Sequence, residues 1–267
     1  MTRATLSAVL LAVLVLVALT APWIAPHPPS SVVTGAFADP SAQAWLGGDS
    51  IGRDLFSRTL FGLRHTLGIA LAVTVGAALL GITLALVAAI RRGWLDMVLG
   101  RLVDTLMAVP QIIFALMVLA VLGVSLPTLI GTMIVLETTL FFRVLRPAAG
   151  DVAAMDYLEV ARLRGEGLAW TLRREVLPVL MPTVLAEIGI RFAFAALFIS
   201  SLSFLGAGIQ PPDADLGGLV RENALAITVG KLAPLVPAFV IALIAIAVNG
   251  VVDGFVRRHA IRPELLP

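Results

Sequence analysis

The sequence contains no cysteine and very little charge. Without cysteine, the chain has neither a disulfide framework nor a thiolate metal site. Only 13% of its 267 residues are charged, whereas 59% are apolar. A soluble domain of this length exposes far more charge, so the composition indicates a chain that crosses a membrane several times. A net charge of only +2 also argues against a nucleic-acid-binding protein.

The sequence also lacks the motifs of common enzymes. The three histidines are isolated, and neither an HExxH pair nor a GxSxG motif occurs. Lys231, the single lysine, is not part of a phosphate-binding loop, so the chain does not bind ATP in the usual way. We therefore predict a non-enzymatic chain with no catalytic residue, no metal site and no bound cofactor. Any active transport would draw its energy from an ion gradient or from another subunit.

Six apolar runs are long enough to cross a hydrocarbon core, which needs about 20 residues. The fourth run is short and contains Glu137, and the first run allows a second interpretation as a signal peptide. Its apolar core is longer than the roughly 7–15 residues of a signal peptide, so we expect a retained first membrane helix. The six runs cover residues 6–24, 66–90, 103–122, 126–142, 181–204 and 232–252.

The arginines predict the orientation, because cytoplasmic loops carry an excess of basic residues. With the N-terminus in the cytoplasm, most of the arginines fall on the cytoplasmic side. Both termini are then cytoplasmic, and residues 143–180 form the largest cytoplasmic loop. Residues 25–65 and 205–231 lie outside, and their glycines and prolines predict turns or short helices.

Two patterns inside the runs predict contacts between side chains. Glu187 and Arg191 are four residues apart in the fifth run, which favours an ion pair on one helix face. Small residues recur every four positions in the second run, which favours close approach of another helix, although an alanine-rich sequence also produces such rows by chance. The small residues are Ala77, Gly81, Ala85 and Ala89.

Residues 156–178, DYLEVARLRGEGLAWTLRREVLP, form a charged stretch in this apolar chain. Eight charges at about 2.5 kcal/mol each oppose membrane insertion by roughly 20 kcal/mol, so the stretch stays at the cytoplasmic face. Apolar residues at helical spacing predict two helices, separated by a left-handed turn at Gly165 and ended by Pro178. Such an element has no core of its own. It has to dock on its own membrane domain, lie in the lipid interface or bind a soluble partner.

This stretch resembles the EAA loop of ABC-importer permeases, in which Glu-Ala-Ala precedes a glycine and a closing Leu-Pro. Here Glu159, Val160 and Ala161 stand at the first three positions, with valine in place of an alanine. In that family the loop is a coupling helix that seats in a cleft of an ATPase subunit. The resemblance therefore implies that the residues coupling this chain to an ATPase are Glu159, Ala161, Arg162, Gly165, Leu177 and Pro178.

Two outer segments narrow the resemblance to the permeases of peptide and nickel importers. LGGDSIGRDLFSRTLFGLRHTL, residues 46–67, is similar to the family pattern Leu-Gly-Thr-Asp-x-x-Gly-Arg-Asp-x-x-Ser-Arg. SFLGAGIQPP, residues 203–212, is similar to Ser-Phe-Leu-Gly-x-Gly-x-Gln-Pro-Pro. The first segment and the short N-terminus resemble the C-type, second permease of a pair. The resemblance implies an outer face that contacts a binding protein through Asp49, Gly52, Arg53, Asp54, Arg58, Gln210, Pro211 and Pro212.

The resemblance covers nearly the whole chain and implies an all-α polytopic membrane protein with the ABC type I importer permease fold. That fold has six transmembrane helices and a cytoplasmic coupling helix. Residues 1–65 would hold the first helix and a periplasmic segment. Residues 66–258 would form the permease core, with the coupling loop at about 150–180. Residues 259–267 would be a cytoplasmic tail.

The implied function is that of a permease subunit in an ATP-driven importer of the bacterial inner membrane. It would form half of a pore for peptides, nickel or metal chelates delivered by a periplasmic or extracellular binding protein. The implied partners are a homologous second permease, two ATPase subunits that bind ATP and magnesium, and membrane lipid. The alternative is a secondary transporter driven by an ion gradient, which usually has charged groups near the membrane midplane.

Overall fold

The computed structural model describes the backbone of residues 3–91 and 93–259, and their side chains except at residues 157–159, 162, 258 and 259. This part of the chain is mainly helical. Its α-helices are α1 (Arg3–Ile24), α2 (Leu55–Arg91), α3 (Trp94–Ala108), α4 (Gln111–Leu122), α5 (Leu126–Ala153), α6 (Asp156–Leu163), α7 (Leu168–Thr171), α8 (Leu177–Phe204), α9 (Leu216–Glu222) and α10 (Leu235–His259).

The six predicted runs correspond to five long helical segments and one bent pair of helices. The third run is not a single straight helix, because α3 and α4 meet at a bend of 90°. Pro110 has no N–H for a helical hydrogen bond, and it holds the preceding Val109 in an extended conformation. The five segments long and apolar enough to span a membrane are Arg3–Ile24, Leu55–Arg91, Leu126–Ala153, Leu168–Phe204 and Leu235–Arg257.

Two of the long helices extend well beyond their predicted runs. α2 begins at Leu55, eleven residues before the predicted start at 66, because the Asp54 carboxylate accepts hydrogen bonds from the N–H groups of Phe56 and Ser57. α5 has 28 residues, so the fourth run is confirmed as a candidate membrane span, but its predicted end at 142 was too early. The run looked short because arginines follow it, although the helix continues through them.

The interior of the bundle is divided into two apolar clusters along the helix axes. The first core cluster takes side chains from α1, α2, α4, α5, α8 and α10, and the second core cluster lies next to the coupling segment. Both clusters are built on the same three central helices, at different heights. The first uses residues 63–73 of α2, 129–136 of α5 and 193–202 of α8, and the second uses residues 77–89 of α2, 141–153 of α5 and 180–184 of α8.

The small residues of α2 form a close contact with α5. A Cβ atom at Gly81 would lie 2.5 Å from the Cβ atom of Phe141, so only glycine fits at this crossing. A Cβ atom at Gly76 would likewise lie 2.6 Å from Cδ1 of Ile134. The predicted close approach of a second helix is confirmed, and the partner is a helix of the same chain.

Candidate coupling segment and outer ion-pair cluster

The predicted coupling segment consists of α6, a turn at Gly165, and α7. Gly165 has a φ of 79°, in the left-handed region. The N–H of Glu166 donates to the carbonyl oxygen of Ala161 at 3.2 Å, which is the closing hydrogen bond of a Schellman C-cap. A Cβ atom at Gly165 would meet open space, so the backbone conformation and not crowding requires glycine. The predicted left-handed turn is confirmed.

The second half of the coupling segment continues into the membrane without a break. α7 is followed directly by a five-residue π-helix, Leu172–Val176, and then by α8. Pro178 lies in the first turn of α8, so the prediction that it ends a helix was wrong. The wider π turn leaves room for the proline ring, which in a regular α-helix would clash with the carbonyl of Arg174. Leu168–Phe204 is therefore one helical run of 37 residues.

The coupling segment packs on the membrane helices through one set of side chains and exposes another. Ala161, Thr171 and Val176 are buried, and Val176 belongs to the second core cluster. Leu163 is 82% exposed. Several exposed apolar side chains on one short segment are typical of a protein-binding surface. Those of the coupling segment and its approach are Met155, Val160, Leu163 and Trp170.

The predicted coupling residues occupy different environments. Leu177 packs against the second core cluster, next to the exposed Pro178. The side chains of Glu159 and Arg162 lie outside the described part of the chain, although both residues belong to α6. Their coupling roles stay predictions.

On the opposite side of the bundle, four charged side chains form an outer ion-pair cluster: Asp49, Arg53, Arg58 and Glu222. Arg53 Nε lies 2.6 Å from Asp49 Oδ2, and Arg53 Nη2 lies 2.7 Å from Glu222 Oε2. Arg58 Nη1 lies 2.6 Å from both of these carboxylate oxygens. The two acids and two bases neutralise one another in a site where Asp49 and Arg58 are almost completely buried.

Asp49 also organises the loop before α2. Its Oδ1 accepts hydrogen bonds from the N–H groups of Ile51 and Arg53 at 3.0 and 2.8 Å. Burial by itself raises the pKa of the Asp49 carboxyl, but these amides and the Arg53 guanidinium outweigh it and hold the pKa below its ordinary value. Asp49 is therefore ionised at neutral pH, and the cluster keeps its balance of charge.

The second outer motif forms a tight turn at the end of α8. The N–H of Ala207 donates to the carbonyl of Leu202 at 2.8 Å, around Gly206 with a φ of 92°. Ser203 Oγ then donates to Asp215 Oδ2 at 2.5 Å, and Asp215 Oδ1 caps α9 by accepting the N–H of Gly218 at 2.9 Å. Burial raises the pKa of the Asp215 carboxyl above its ordinary value.

Hydrogen bonds join the two outer motifs into one unit. Thr66 Oγ1 of α2 accepts the N–H of Leu216 at 3.1 Å. The Ser50 N–H donates to Asn223 Oδ1 at 3.1 Å. Together with Glu222 in the ion-pair cluster, these contacts make the segments 46–67 and 203–223 a single rigid surface.

The outer motifs divide into buried and exposed residues. Gly52 is enclosed, because a Cβ atom there would lie 2.2 Å from the carbonyl oxygen of Thr34. The side chains of Asp49, Arg53, Asp54 and Arg58 are buried inside the chain, where they hold the loop and the start of α2. Gln210, Pro211 and Pro212 are exposed, and a cis peptide bond joins the two prolines. The predicted contact with a binding protein stays a prediction.

Sequence reasoning missed three residues of the outer unit. Glu222 is an isolated acid in a polar segment, and nothing in its local sequence predicts a partner 164 residues away. Asp215 precedes a short apolar stretch, which is typical of a helix N-cap and would have predicted α9. Ser203 contacts Asp215 only because the chain reverses direction between them.

Two family matches cover most of the chain. Residues 77–262 match the family described as the binding-protein-dependent transport system inner membrane component. The chain belongs to this family. Residues 2–44 also match the N-terminal TM domain of oligopeptide transport permease C, in agreement with the C-type resemblance of the sequence.

Several members of this binding-protein-dependent permease family are similar over most of the chain. The glutathione transport system permease protein GsiD of Pectobacterium atrosepticum is 32% identical over 85% of this chain and 74% of its own length. A putative peptide transport system permease protein of Brucella suis is 34% identical over 96% of this chain and 86% of its own length. The dipeptide transport system permease protein DppC of Alkalihalophilus pseudofirmus is 29% identical over 85% of this chain and 74% of its own length.

These findings confirm the prediction of a multi-pass permease subunit of an ABC importer and favour it over a carrier driven by an ion gradient. The long helices and the bent pair supply the membrane-spanning part of this permease. The relatives are transport permeases, and an importer of this class works with ATPase subunits and a binding protein.

Proposed function

We propose that this permease forms half of a pore that imports short peptides across a bacterial inner membrane, with both termini in the cytoplasm. A homologous second permease supplies the other half, and two ATPase subunits bind ATP and magnesium below. Peptides are the proposed substrate class because similar permeases are named for peptide, dipeptide and glutathione transport. The chain itself binds no cofactor.

The observation that carries this proposal is the unbroken connection between the second half of the coupling segment and a membrane span. α7, the π turn and α8 form one helical run from Leu168 to Phe204. A displacement at the cytoplasmic end of a continuous helix moves its whole length, because no loop absorbs the motion. An ATPase that grips α6 and α7 would thereby move α8 within the bundle as its nucleotide-binding site opens and closes.

The exposed apolar residues of the coupling segment are the proposed contact with the ATPase. The side chain of Leu163 is 82% exposed and belongs to neither core cluster. Since the chain has no cysteine, one introduced cysteine gives an unambiguous cross-linking site. In the purified complex, Leu163→Cys should cross-link to an ATPase subunit. Leu225→Cys, which is 71% exposed in the outer segment, is the matched control and should not.

The result that would contradict the coupling assignment is equal cross-linking of both variants, or none from Leu163→Cys in a complex that contains the ATPases. Purified permease that drives peptide uptake without any nucleotide-hydrolysing subunit would contradict the transport mechanism itself.

The exposed part of the second outer motif is the proposed contact with the binding protein. Gln210 and the two prolines project from the rigid unit that the ion-pair cluster supports. Asp54 is buried and therefore not suitable for cross-linking. We expect Gln210→Cys or Asp213→Cys to cross-link to the binding protein, and failure at both positions would remove this contact from the proposal.

A further inference from the structure

Three charged side chains lie at the boundary between the two core clusters. On α5, the first cluster ends at Leu136 and the second begins at Phe141, and Glu137 lies between them. On α8, the second cluster ends at Val184 and the first resumes at Ala193.

The charged α8 residues in that gap are Glu187 and Arg191. The charges thus occupy a polar seam within the membrane-spanning part of the bundle, where charged groups are costly and mark functional sites.

The three charges are not equally satisfied. Arg191 Nε donates to Glu187 Oε2 at 2.9 Å, as the sequence spacing predicts. Glu137 is only 1% exposed, and its Oε2 has no hydrogen-bond partner in the described part of the chain. Glu137 lies within electrostatic range of both Arg191 and Glu187. One guanidinium therefore lies within electrostatic range of two carboxyl groups and is bonded to one of them.

An unpartnered buried carboxyl destabilises the conformation in which it is found. An apolar side chain at position 137 would remove that cost here. Glu137 Oε2 thus lacks a hydrogen-bond partner in this conformation, and we look for that partner in another one.

We propose that Arg191 exchanges between Glu187 and Glu137 as the transporter alternates, so that Glu137 is a positioning residue for the transport cycle. This inference rests on the proposed function, because it needs the motion of α8 that the ATPases would drive. The second core cluster contains Val176 of the coupling segment, and α8 crosses from that cluster through the seam to the first. A shift of α8 against α5 carries Arg191 past Glu137.

The exchange gives both conformations one ion pair. Each arrangement has one ion pair and leaves the other carboxyl unpaired, so the bundle has two arrangements with the same number of ion pairs. Two acids and one base thus give α8 two ion-paired positions relative to α5. A permanent Glu187–Arg191 pair would need no third charge.

The first test compares Glu137→Gln with a matched neighbour in the complete, reconstituted complex. Thr138 Oγ1 is also buried without a hydrogen-bond partner among the described residues, so Thr138→Val removes an unsatisfied group from the same helix turn. Thr138→Val should unfold about 2–4 °C higher than wild type in the conformation seen here, whereas Glu137→Gln, which is neutral but still a buried polar group, should unfold no lower than wild type. Glu137→Gln should lower ATP-driven peptide uptake about tenfold, as expected for the loss of one ion pair in the other conformation. Thr138→Val should leave uptake unchanged.

The second test is a double-mutant cycle on the same complex, without nucleotide and in the ATP-trapped state. Arg191→Gln is combined with Glu187→Gln or with Glu137→Gln, and the unfolding temperature is measured. We expect Arg191 to couple to Glu187 in one state and to Glu137 in the other.

Coupling of Arg191 to Glu187 in both states, with normal uptake by Glu137→Gln, would overturn the exchange. That result leaves the proposed function intact, because wild-type uptake and the presence of the ATPases are measured in the same preparation. Absence of ATP-driven uptake by the wild-type complex would instead contradict the proposed function.

Discussion

Arg58 Nη1 lies 2.6 Å from Glu222 Oε2, and this contact joins two outer segments that are 164 residues apart in the sequence. The same nitrogen lies 2.6 Å from Asp49 Oδ2. The guanidinium of Arg58, together with that of Arg53, thus ties the loop before α2 to the end of α9. The exposed Gln210–Pro212 turn depends on this tie for its position, because it lies between α8 and α9.

The outer ion-pair cluster predicts a strong effect of Arg58→Met. Removing one partner of a buried ion pair leaves the other charges uncompensated, which costs about 3–5 kcal/mol. We expect a clear fall in the unfolding temperature of the purified permease. Lys231→Met is the control, since Lys231 pairs with the exposed Asp39 and such a pair contributes about 0–1 kcal/mol. Equal effects of the two substitutions would contradict the central role of Arg58.

Asp215 predicts a pH-dependent stability. Burial raises its pKa in the folded state above the ordinary value of 3.8, so the stability linked to this group is fully present below pH 3.8. That stability is lost as the pH rises through the folded-state pKa. Asp215→Asn keeps a helix-capping oxygen and cannot ionise.

The gain in unfolding temperature of Asp215→Asn over wild type should therefore grow from pH 4 to pH 8. Thermal unfolding at both pH values provides the measurement. A gain that shrinks with rising pH would show that the ionised carboxylate stabilises the turn.

The coupling turn predicts different tolerances at its two glycines. A side chain at Gly165 would have to adopt a φ of 79°, which costs roughly 1–2 kcal/mol for valine and is excluded for proline. Gly167 has a φ of −75° and open space around it, so Gly167→Ala should be neutral. We expect Gly165→Pro to abolish ATP-driven uptake and Gly165→Asn to retain much of it. Membrane insertion, checked by fractionation, should be normal in each variant.

The crossing of α2 and α5 predicts that Gly81→Leu disrupts the bundle. A leucine there would overlap Phe141 and the carbonyl of Thr138, which would lie 2.5 and 3.0 Å from its Cβ atom. Overpacking of this kind typically costs about 1–3 kcal/mol. Gly68 lies on the same helix, and a Cβ atom there would have no other atom within 4 Å, so Gly68→Ala is the control. Size-exclusion chromatography of the complex should show loss of assembly for Gly81→Leu alone.

Local rules predicted the elements that depend on near neighbours in the sequence. The left-handed turn at Gly165 and the Glu187–Arg191 pair were correct, and the apolar runs were correct in position but not in all their bounds, with a 90° bend in the third. Each follows from hydropathy, from backbone sterics or from one turn of helix. The same rules failed at Pro178, because they do not predict the π turn that accommodates it, which ends at Val176 of the second core cluster.

Hydropathy and the motifs alone predict a membrane-spanning transport permease, because both are properties of the order of residues. Which charges meet depends on the tertiary structure. The folded chain pairs Arg58 with Glu222 and leaves Glu137 Oε2 without a hydrogen-bond partner among the described residues. Such contacts join residues that are distant along the chain, so their distances depend on how the helices pack and not on any local pattern.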